Sequence, residues 1–203
     1  YLDIKAPKNS SEKQLPVMFW IHGGGNTSGL KDLYDFSKMV KRHDIVVVSI
    51  NYRLGPFGWF THPSIQDLQN GLDKTSNFGT LDIIEALKWV QSNISLFGGD
   101  PGNVTIFGES AGGHNVFSLL ASKEAKGLFH KAISQSGYTT SIQADIAFKQ
   151  DTYSPTSNHT SFNIVDRVLQ KNAVKINQSS LDKKKLRKIL LDLSAKDFFS
   201  HYA

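Results

Sequence analysis

The sequence has no cysteine among its 203 residues. Disulfide bonds, thiolate zinc sites and catalysis by a cysteine nucleophile are therefore excluded within this chain. Long hydrophobic runs are also missing. The longest, at residues 17–21 and 45–50, are far shorter than the roughly 20 residues needed to cross a bilayer, and they indicate buried strands. No membrane span is expected.

Motifs for nucleotides and metals are missing too. Neither G-x-x-x-x-G-K-[ST] nor a G-x-G-x-x-G after a strand occurs, and the histidines are scattered without ligand spacing. No metal and no other cofactor is expected. The net charge of +5 comes mainly from residues 183–188, in a helical pattern without interleaved aromatics. Such a pattern is typical of a solvated helix face, so no nucleic-acid partner is expected.

A short motif with a serine at its centre is the most informative feature present. Residues 108–112 read Gly-Glu-Ser-Ala-Gly and directly follow the apolar run 104–107. A serine between small residues at a strand-to-helix junction is the nucleophile elbow of α/β-hydrolases, and residues 111–121 have apolar residues at helical spacing. G-x-S-x-G also arises by chance, so this motif needs independent support.

A second motif supplies that support. The apolar residues 16–21 run into His22-Gly23-Gly24-Gly25-Asn26. This is the HGGG-type loop that contributes backbone N–H groups to an oxyanion hole in the same class of enzyme. Two parts of one catalytic apparatus therefore occur in the expected order.

The hydrophobic pattern alternates between strands and helices, which predicts an α/β fold with a mostly parallel sheet and helices on both faces. Residues 51–60 and 150–161 are predicted as loops, and residues 98–102 as the end of a helix. Residues 138–203 are predicted as a helical excursion within a single domain, 1–203. Strands are predicted at residues 1–5, 15–21, 45–50, 104–107 and 131–137, and helices at residues 34–41, 81–94, 111–121, 162–171, 181–190 and 195–202.

The chain closely resembles the type-B carboxylesterase family, which includes cholinesterases, bacterial para-nitrobenzyl esterases and liver carboxylesterases. This resemblance implies an α/β-hydrolase fold and a serine hydrolase that cleaves small-molecule carboxylic esters through an acyl-enzyme, with water as the second reactant. It covers most of residues 1–140, and the last sixty residues match loosely. The matching stretches are residues 1–4, 16–29, 46–60, 77–90, 97–113 and 128–137.

The resemblance also implies roles for individual residues. By position, Ser110 is the nucleophile, and the backbone N–H groups of Gly24, Gly25 and Ala111 form the oxyanion hole. Glu109 matches a buried, hydrogen-bonded supporting residue of the family and is not expected to transfer protons itself.

Scaffold roles are expected for a further set of residues. His22 is expected to shape its loop through backbone hydrogen bonds. Asn51, Tyr52, Arg53 and Gly55 match a family motif that holds the loops behind the oxyanion hole.

The pattern departs from the family after the elbow. In this fold the acid and the histidine of the triad follow the serine in the chain. The histidines at 114, 130, 159 and 201 lack the glycine-flanked family context. Asp192 with His201 is a formal alternative, disfavoured because both lie in the helical tail. We therefore expect an N-terminal fragment, cut at both ends, that lacks the triad acid and histidine and has no appreciable turnover.

One alternative function belongs to a different class. Some cholinesterase-like proteins use this fold only for adhesion or interaction, and such members commonly lose the nucleophile or the oxyanion glycines. Here Ser110 and the glycines at 23–25 are intact, which favours the enzyme. Ester specificity, compartment and oligomeric state are left open by the sequence.

Overall fold

A five-stranded sheet, in the order β1-β3-β2-β4-β5, organises the structure. The structure is a computed structural model that describes residues 1–8, 10, 13–148, 160–171 and 178–202. β1 is antiparallel to β3, and the other three pairings are parallel, so the predicted mostly parallel sheet is confirmed. The strands are β1 (Leu2–Lys5), β2 (Leu15–Ile21), β3 (Val46–Ile50), β4 (Gly99–Glu109) and β5 (Lys131–Gln135).

The central strands form because their side chains are apolar on both faces. All five residues of β3 are buried, and Phe19 and Ile21 of β2 and Ile106 of β4 are fully buried. Continuous apolar runs of this kind are typical of parallel strands covered on both sides.

The strand before the elbow begins earlier than the pattern predicts. The helical segment ends at Gly98, as predicted for residues 98–102, but β4 already begins at Gly99 and has eleven residues. Gly98, at φ 81°, ends the preceding 3-10 helix, and its carbonyl accepts a hydrogen bond from Leu15 N at 2.8 Å. Backbone pairing with β2 therefore extends the strand where side-chain periodicity gives no signal.

The helices agree with the sequence best around the elbow, where α5 has the predicted bounds. The helix predicted at residues 34–41 is displaced, because the rings of Tyr34 and Phe36 pack on Trp20 instead of entering α1. The segment 51–60, predicted as a loop, contains α2. The helices are α1 (Ser37–His43), α2 (Pro56–Trp59), α3 (Pro63–Gln66), α4 (Phe78–Asn93), α5 (Ala111–Ala121), α6 (Ala144–Phe148), α7 (Ser161–Lys171), α8 (Lys183–Asp192) and α9 (Ala195–Phe199).

The chain divides into two compact units. The first, Tyr1–Gly58 with Asn77–Thr140, contains the sheet, α4 and α5. The second, Trp59–Ser76 with Ser141–Ala203, has a core in which apolar residues of α7 and α8 cluster. The predicted helices after residue 138 are confirmed in their described parts. The loop predicted at 150–161 lies almost wholly outside the described residues, and the assignment of 138–203 to a single domain stays a prediction.

Two further observations concern membrane-spanning helices and metal-binding groups. In the described part of the chain, no helix combines the length and the apolar character that a bilayer span requires. Among the same residues, no group of three or more histidine, aspartate or glutamate side chains is arranged to hold a metal ion.

Candidate active site

Ser110 lies at the turn that joins β4 to α5. Its backbone has φ 55° and ψ −120°, a combination that residues other than glycine rarely adopt. The turn is fixed on both sides, because Ser110 N donates to Gln135 O at 2.9 Å and His114 N donates to Ser110 O at 3.0 Å. The structure therefore places the predicted nucleophile on a strained strand-to-helix turn, as the motif indicates.

The glycines on either side of this serine allow the turn to pack against the sheet. A Cβ atom at Gly112 would lie 2.0 Å from the carbonyl oxygen of Ile21, and one at Gly108 would lie 2.5 Å from the carbonyl carbon of Gly112. Neither position can hold a larger residue without movement of the backbone. The start of α5 therefore sits directly against the end of β2.

The glycine loop after β2 lies at the same edge of the sheet. β2 and β4 are adjacent and parallel, so their carboxyl ends meet. A Cβ atom at Gly23 would lie 2.7 Å from Glu109 O and 3.2 Å from Ser110 Cβ. Two loops separated by more than eighty residues in the sequence thus come together.

Three backbone N–H groups in the two loops have no hydrogen-bond acceptor in the part of the chain that the structure describes. Within the described residues, the N–H groups of Gly24, Gly25 and Ala111 donate to no acceptor. Gly24 and Gly25 have φ values of 102° and 63°, and the two glycines are exposed. Ala111 is the first residue of α5, where the helix dipole favours a negative charge. Free N–H groups of this kind are suited to an anionic oxygen.

Glu109 occupies the last position of β4. It is half-buried, and its Oε2 would lie 3.0 Å from a Cβ atom at Gly23. Among the described residues its carboxylate accepts no hydrogen bond. Its supporting role stays a prediction.

His22 and Tyr52 form the buried floor of the glycine loop. His22 Nδ1 lies 2.8 Å from Gly23 O, and its ring stacks on Tyr52 with the centroids 4.5 Å apart. Burial lowers the pKa of His22 below its ordinary value, so the ring favours its neutral form. Tyr52 Oη donates to His22 O at 2.7 Å. Both residues contact the backbone of the glycine loop, as expected of residues that shape it.

The loop after β3 is held by three further contacts. Gly55 N donates to Asn26 O at 2.6 Å, and Lys31 N donates to Asn51 Oδ1 at 2.7 Å. Arg53 forms a bidentate ion pair with Asp82 of α4, with Nε and Nη2 at 2.8 and 2.7 Å from its two oxygens. Such paired contacts hold a loop in one orientation.

Sequence reasoning missed one buried polar residue, Asn115 of α5. Its amide nitrogen donates to Asn26 Oδ1 at 2.9 Å. The available signal was an asparagine on the apolar side of a predicted helix, a position where polar residues need a partner.

His114 and His130, the first two histidines after the serine in the sequence, hydrogen-bond to backbone atoms of other residues. His114 Nδ1 lies 2.7 Å from Tyr138 O, and its ring stacks on that of Tyr138. His130 Nδ1 accepts a hydrogen bond from Val104 N at 3.1 Å. In the part of the chain that the structure describes, which leaves out His159, no histidine hydrogen-bonds Ser110 Oγ. Asp192 pairs with Lys188 at 2.7 Å.

Comparison with known proteins identifies the family. A family model described as "Carboxylesterase family" matches residues 1–200. The chain belongs to the carboxylesterase family. It is 48% identical over 149 residues to the para-nitrobenzyl esterase of Bacillus subtilis and 47% identical over 143 residues to the liver carboxylesterase of Sus scrofa. These alignments cover 72% and 70% of this carboxylesterase-family chain and 29% and 24% of the two relatives.

Solved structures establish the fold of this carboxylesterase-family chain. It superimposes on a thermophilic PNB esterase with a TM-score of 0.75 at 37% identity, over 99% of this chain and 36% of the other. A carboxylesterase of Geobacillus stearothermophilus gives a TM-score of 0.73 at 36% identity, over 99% and 39%. The predicted α/β-hydrolase class is confirmed. The chain spans roughly a quarter to two fifths of the length of the proteins it matches.

Proposed function

We propose that the whole protein hydrolyses small-molecule carboxylic esters, with Ser110 as the nucleophile. The observation that carries this proposal is the meeting of the strained serine turn with the Gly23–Gly25 loop, where the N–H groups of Gly24, Gly25 and Ala111 have no acceptor among the described residues. Family membership and the esterase names of the relatives agree with this chemistry.

The proposed reaction begins with attack by the serine and forms a negative charge on the ester carbonyl oxygen. Ser110 Oγ attacks the ester carbonyl carbon, and the former carbonyl oxygen becomes an oxyanion. Donors from Gly24, Gly25 and Ala111 stabilise that charge, and each is worth about 3 to 4 kcal/mol in a site closed to water. Collapse of the tetrahedral intermediate expels the alcohol and leaves an acyl-serine. Water then attacks the acyl-serine and releases the acid.

The proton of Ser110 needs an acceptor that the described residues do not supply. We assign the triad histidine and its acid to parts of the whole protein outside this sequence, in keeping with the much greater length of the relatives. The 203-residue chain alone should therefore show no appreciable turnover. Ester hydrolysis by this chain that disappears in Ser110→Ala would contradict the assignment.

A covalent probe of the full-length protein tests the nucleophile. A fluorophosphonate should label Ser110 stoichiometrically, because attack on phosphorus forms the same kind of tetrahedral adduct. Ser110→Ala should abolish both labelling and hydrolysis of a para-nitrophenyl ester, with a loss of about 10⁴-fold or more in kcat. Peptide mapping identifies the modified residue. A folded protein that neither labels nor turns over would instead support the non-catalytic, interaction-only alternative.

A further inference from the structure

The buried Asn115 links the elbow helix to two separate loops. It is 1% exposed, on the second turn of α5. Its Nδ2 donates to Asn26 Oδ1 at 2.9 Å, and its side chain also hydrogen-bonds the Tyr52 phenol. A buried amide costs free energy unless its polar atoms are paired. In this case the partners are the last residue of the HGGGN segment and a residue of the loop after β3.

Asn26 holds the far end of the glycine loop in an unfavourable conformation. It is the third consecutive residue with a positive φ, after Gly24 and Gly25, at 59°. Asparagine tolerates this region better than most side chains, but the conformation persists only where neighbours enforce it. Those neighbours are Asn115 and Tyr52, whose Nδ2 and Oη lie 2.9 and 3.3 Å from Asn26 Oδ1, and Gly55, whose N–H donates to the carbonyl oxygen of Asn26.

Tyr52 holds the near end of the same loop. Its hydroxyl has one proton, which it donates to His22 O at 2.7 Å, so its oxygen is left to accept from Asn115. Burial raises the pKa of Tyr52 above its ordinary value of 10.0, so the phenol stays protonated as a donor. The glycine loop is thus held at residue 22 through Tyr52 and at residue 26 directly, and both contacts lead to Asn115.

We infer that Asn115, acting through Asn26 and Tyr52, is a positioning residue that fixes the Gly24 and Gly25 N–H groups relative to Ser110. This inference rests on the proposed ester hydrolysis. The helix that contains Asn115 begins at Ala111, directly after Ser110, so the pairing sets the spacing between the two halves of the oxyanion hole. Correct spacing is required mainly in the transition state, where the oxyanion is present.

Two single variants of the full-length protein test this role. Asn115→Ala removes the donor, and Asn26→Gly removes the acceptor while still tolerating the positive φ. Each should lower kcat for a para-nitrophenyl ester by about 10- to 100-fold, because ångström-scale misplacement of catalytic groups has effects of that size. KM should change by less than about threefold, since ground-state binding does not use the oxyanion contacts. Active sites are counted by fluorophosphonate titration, so unfolded protein does not enter kcat.

Matched variants separate positioning from general damage. Asn26→Asp keeps an acceptor oxygen and tolerates the positive φ, and it should retain kcat within about threefold of the wild type. The kcat of the Asn115→Ala/Asn26→Gly double variant should lie within about threefold of that of the less active single variant, because the two side chains act as one unit. Ser118→Ala removes a hydrogen bond that lies wholly within α5, from Ser118 Oγ to His114 O, and should leave kcat unchanged.

The possible results distinguish the two proposals. If the wild type is active and both single variants keep kcat within about twofold per active site, the positioning role is wrong and the proposed function stands. Additive losses in the double variant would likewise overturn the pairing. If the wild type neither labels nor hydrolyses ester, the proposed function fails and the positioning role fails with it. If Asn115→Ala does not fold, Asn26→Gly and Asn26→Asp decide by the same criteria.

Discussion

Ser110 adopts a backbone conformation that costs free energy, with φ 55° and ψ −120°. Strain of this kind is typically worth about 1 to 3 kcal/mol and is found at functional sites, where the surrounding structure holds it in place. Here Gln135 O and His114 N hold the two backbone polar atoms of the residue. The turn that holds Ser110 therefore forms at the expense of local stability.

Replacement of this serine by glycine should therefore stabilise the protein relative to alanine. Ser110→Gly and Ser110→Ala both remove the hydroxyl, but only glycine relaxes a positive φ. After allowance for the greater freedom of glycine in the unfolded chain, the free energy of unfolding of Ser110→Gly should exceed that of Ser110→Ala by about 1 kcal/mol. Urea titration of the two inactive variants measures the difference. Equal stability would show that the turn is not strained.

The two proposed oxyanion glycines should differ in their tolerance of alanine. A Cβ atom at Gly24 would lie 2.3 Å from Ser28 O, at φ 102°. A Cβ atom at Gly25 would meet its nearest neighbour, Thr27 Oγ1, at 3.5 Å, at φ 63°. Gly24→Ala must therefore displace the loop, whereas Gly25→Ala need only accept a left-handed backbone, at about 1 to 2 kcal/mol.

In kinetic terms, Gly24→Ala should lower kcat by about 100-fold or more, comparable to the loss of an oxyanion donor. Gly25→Ala should lower kcat by less than about tenfold. Steady-state hydrolysis of a para-nitrophenyl ester by the full-length variants measures both values. The reverse order of sensitivity would contradict the loop geometry.

At the scale of elements, the sheet brings the site together. β2 and β4 are neighbours in the sheet although β3 lies between them in the sequence, so the glycine loop and the serine turn leave the same edge. Helix α5 then packs its first turn against Ile21 O, where glycine at 112 allows backbone contact. The site therefore depends on strand order as much as on the two motifs.

Elements with strong side-chain periodicity agreed best with the sequence. The bounds of α5 and the strand at 15–21 matched their predictions, because buried apolar residues recur there with a clear period. The start of β4 and the start of α1 did not match. Tertiary contacts decide both: backbone pairing of Gly99 with β2, and packing of Tyr34 and Phe36 on Trp20.

At the scale of the whole molecule, buried histidines in both units make stability dependent on pH. Burial lowers the pKa of His22, His62 and His201 below the ordinary value of 6.5. Below pH 6.5 the unfolded chain binds protons that the folded chain does not, so the free energy of unfolding falls as the pH drops from 6.5 toward the folded-state pKa values. Above pH 6.5 their contribution to stability is fully present.

His62 offers the clearest test of this dependence. Its Nδ1 accepts a hydrogen bond from Ser64 N, and its Nε2 lies 3.1 Å from Gln178 Oε1, an arrangement that requires the neutral ring. His62→Asn retains a helix-capping acceptor without a titratable group. Its urea midpoint should decline less between pH 7.5 and 5.5 than that of the wild type, even if its absolute stability is lower. An equal decline in both proteins would exclude His62 as a source of the pH dependence.

The sequence by itself determined the family, the α/β class and the residues of the two motifs. It could do so because glycine at 108 and 112, serine at 110 and the glycine run at 23–25 are local requirements of tight turns and close backbone approach. Only the tertiary structure decided that Gly23 packs against Ser110 and that Asn115 pairs with Asn26. Contacts between residues this distant depend on strand order and helix packing, which no local pattern encodes.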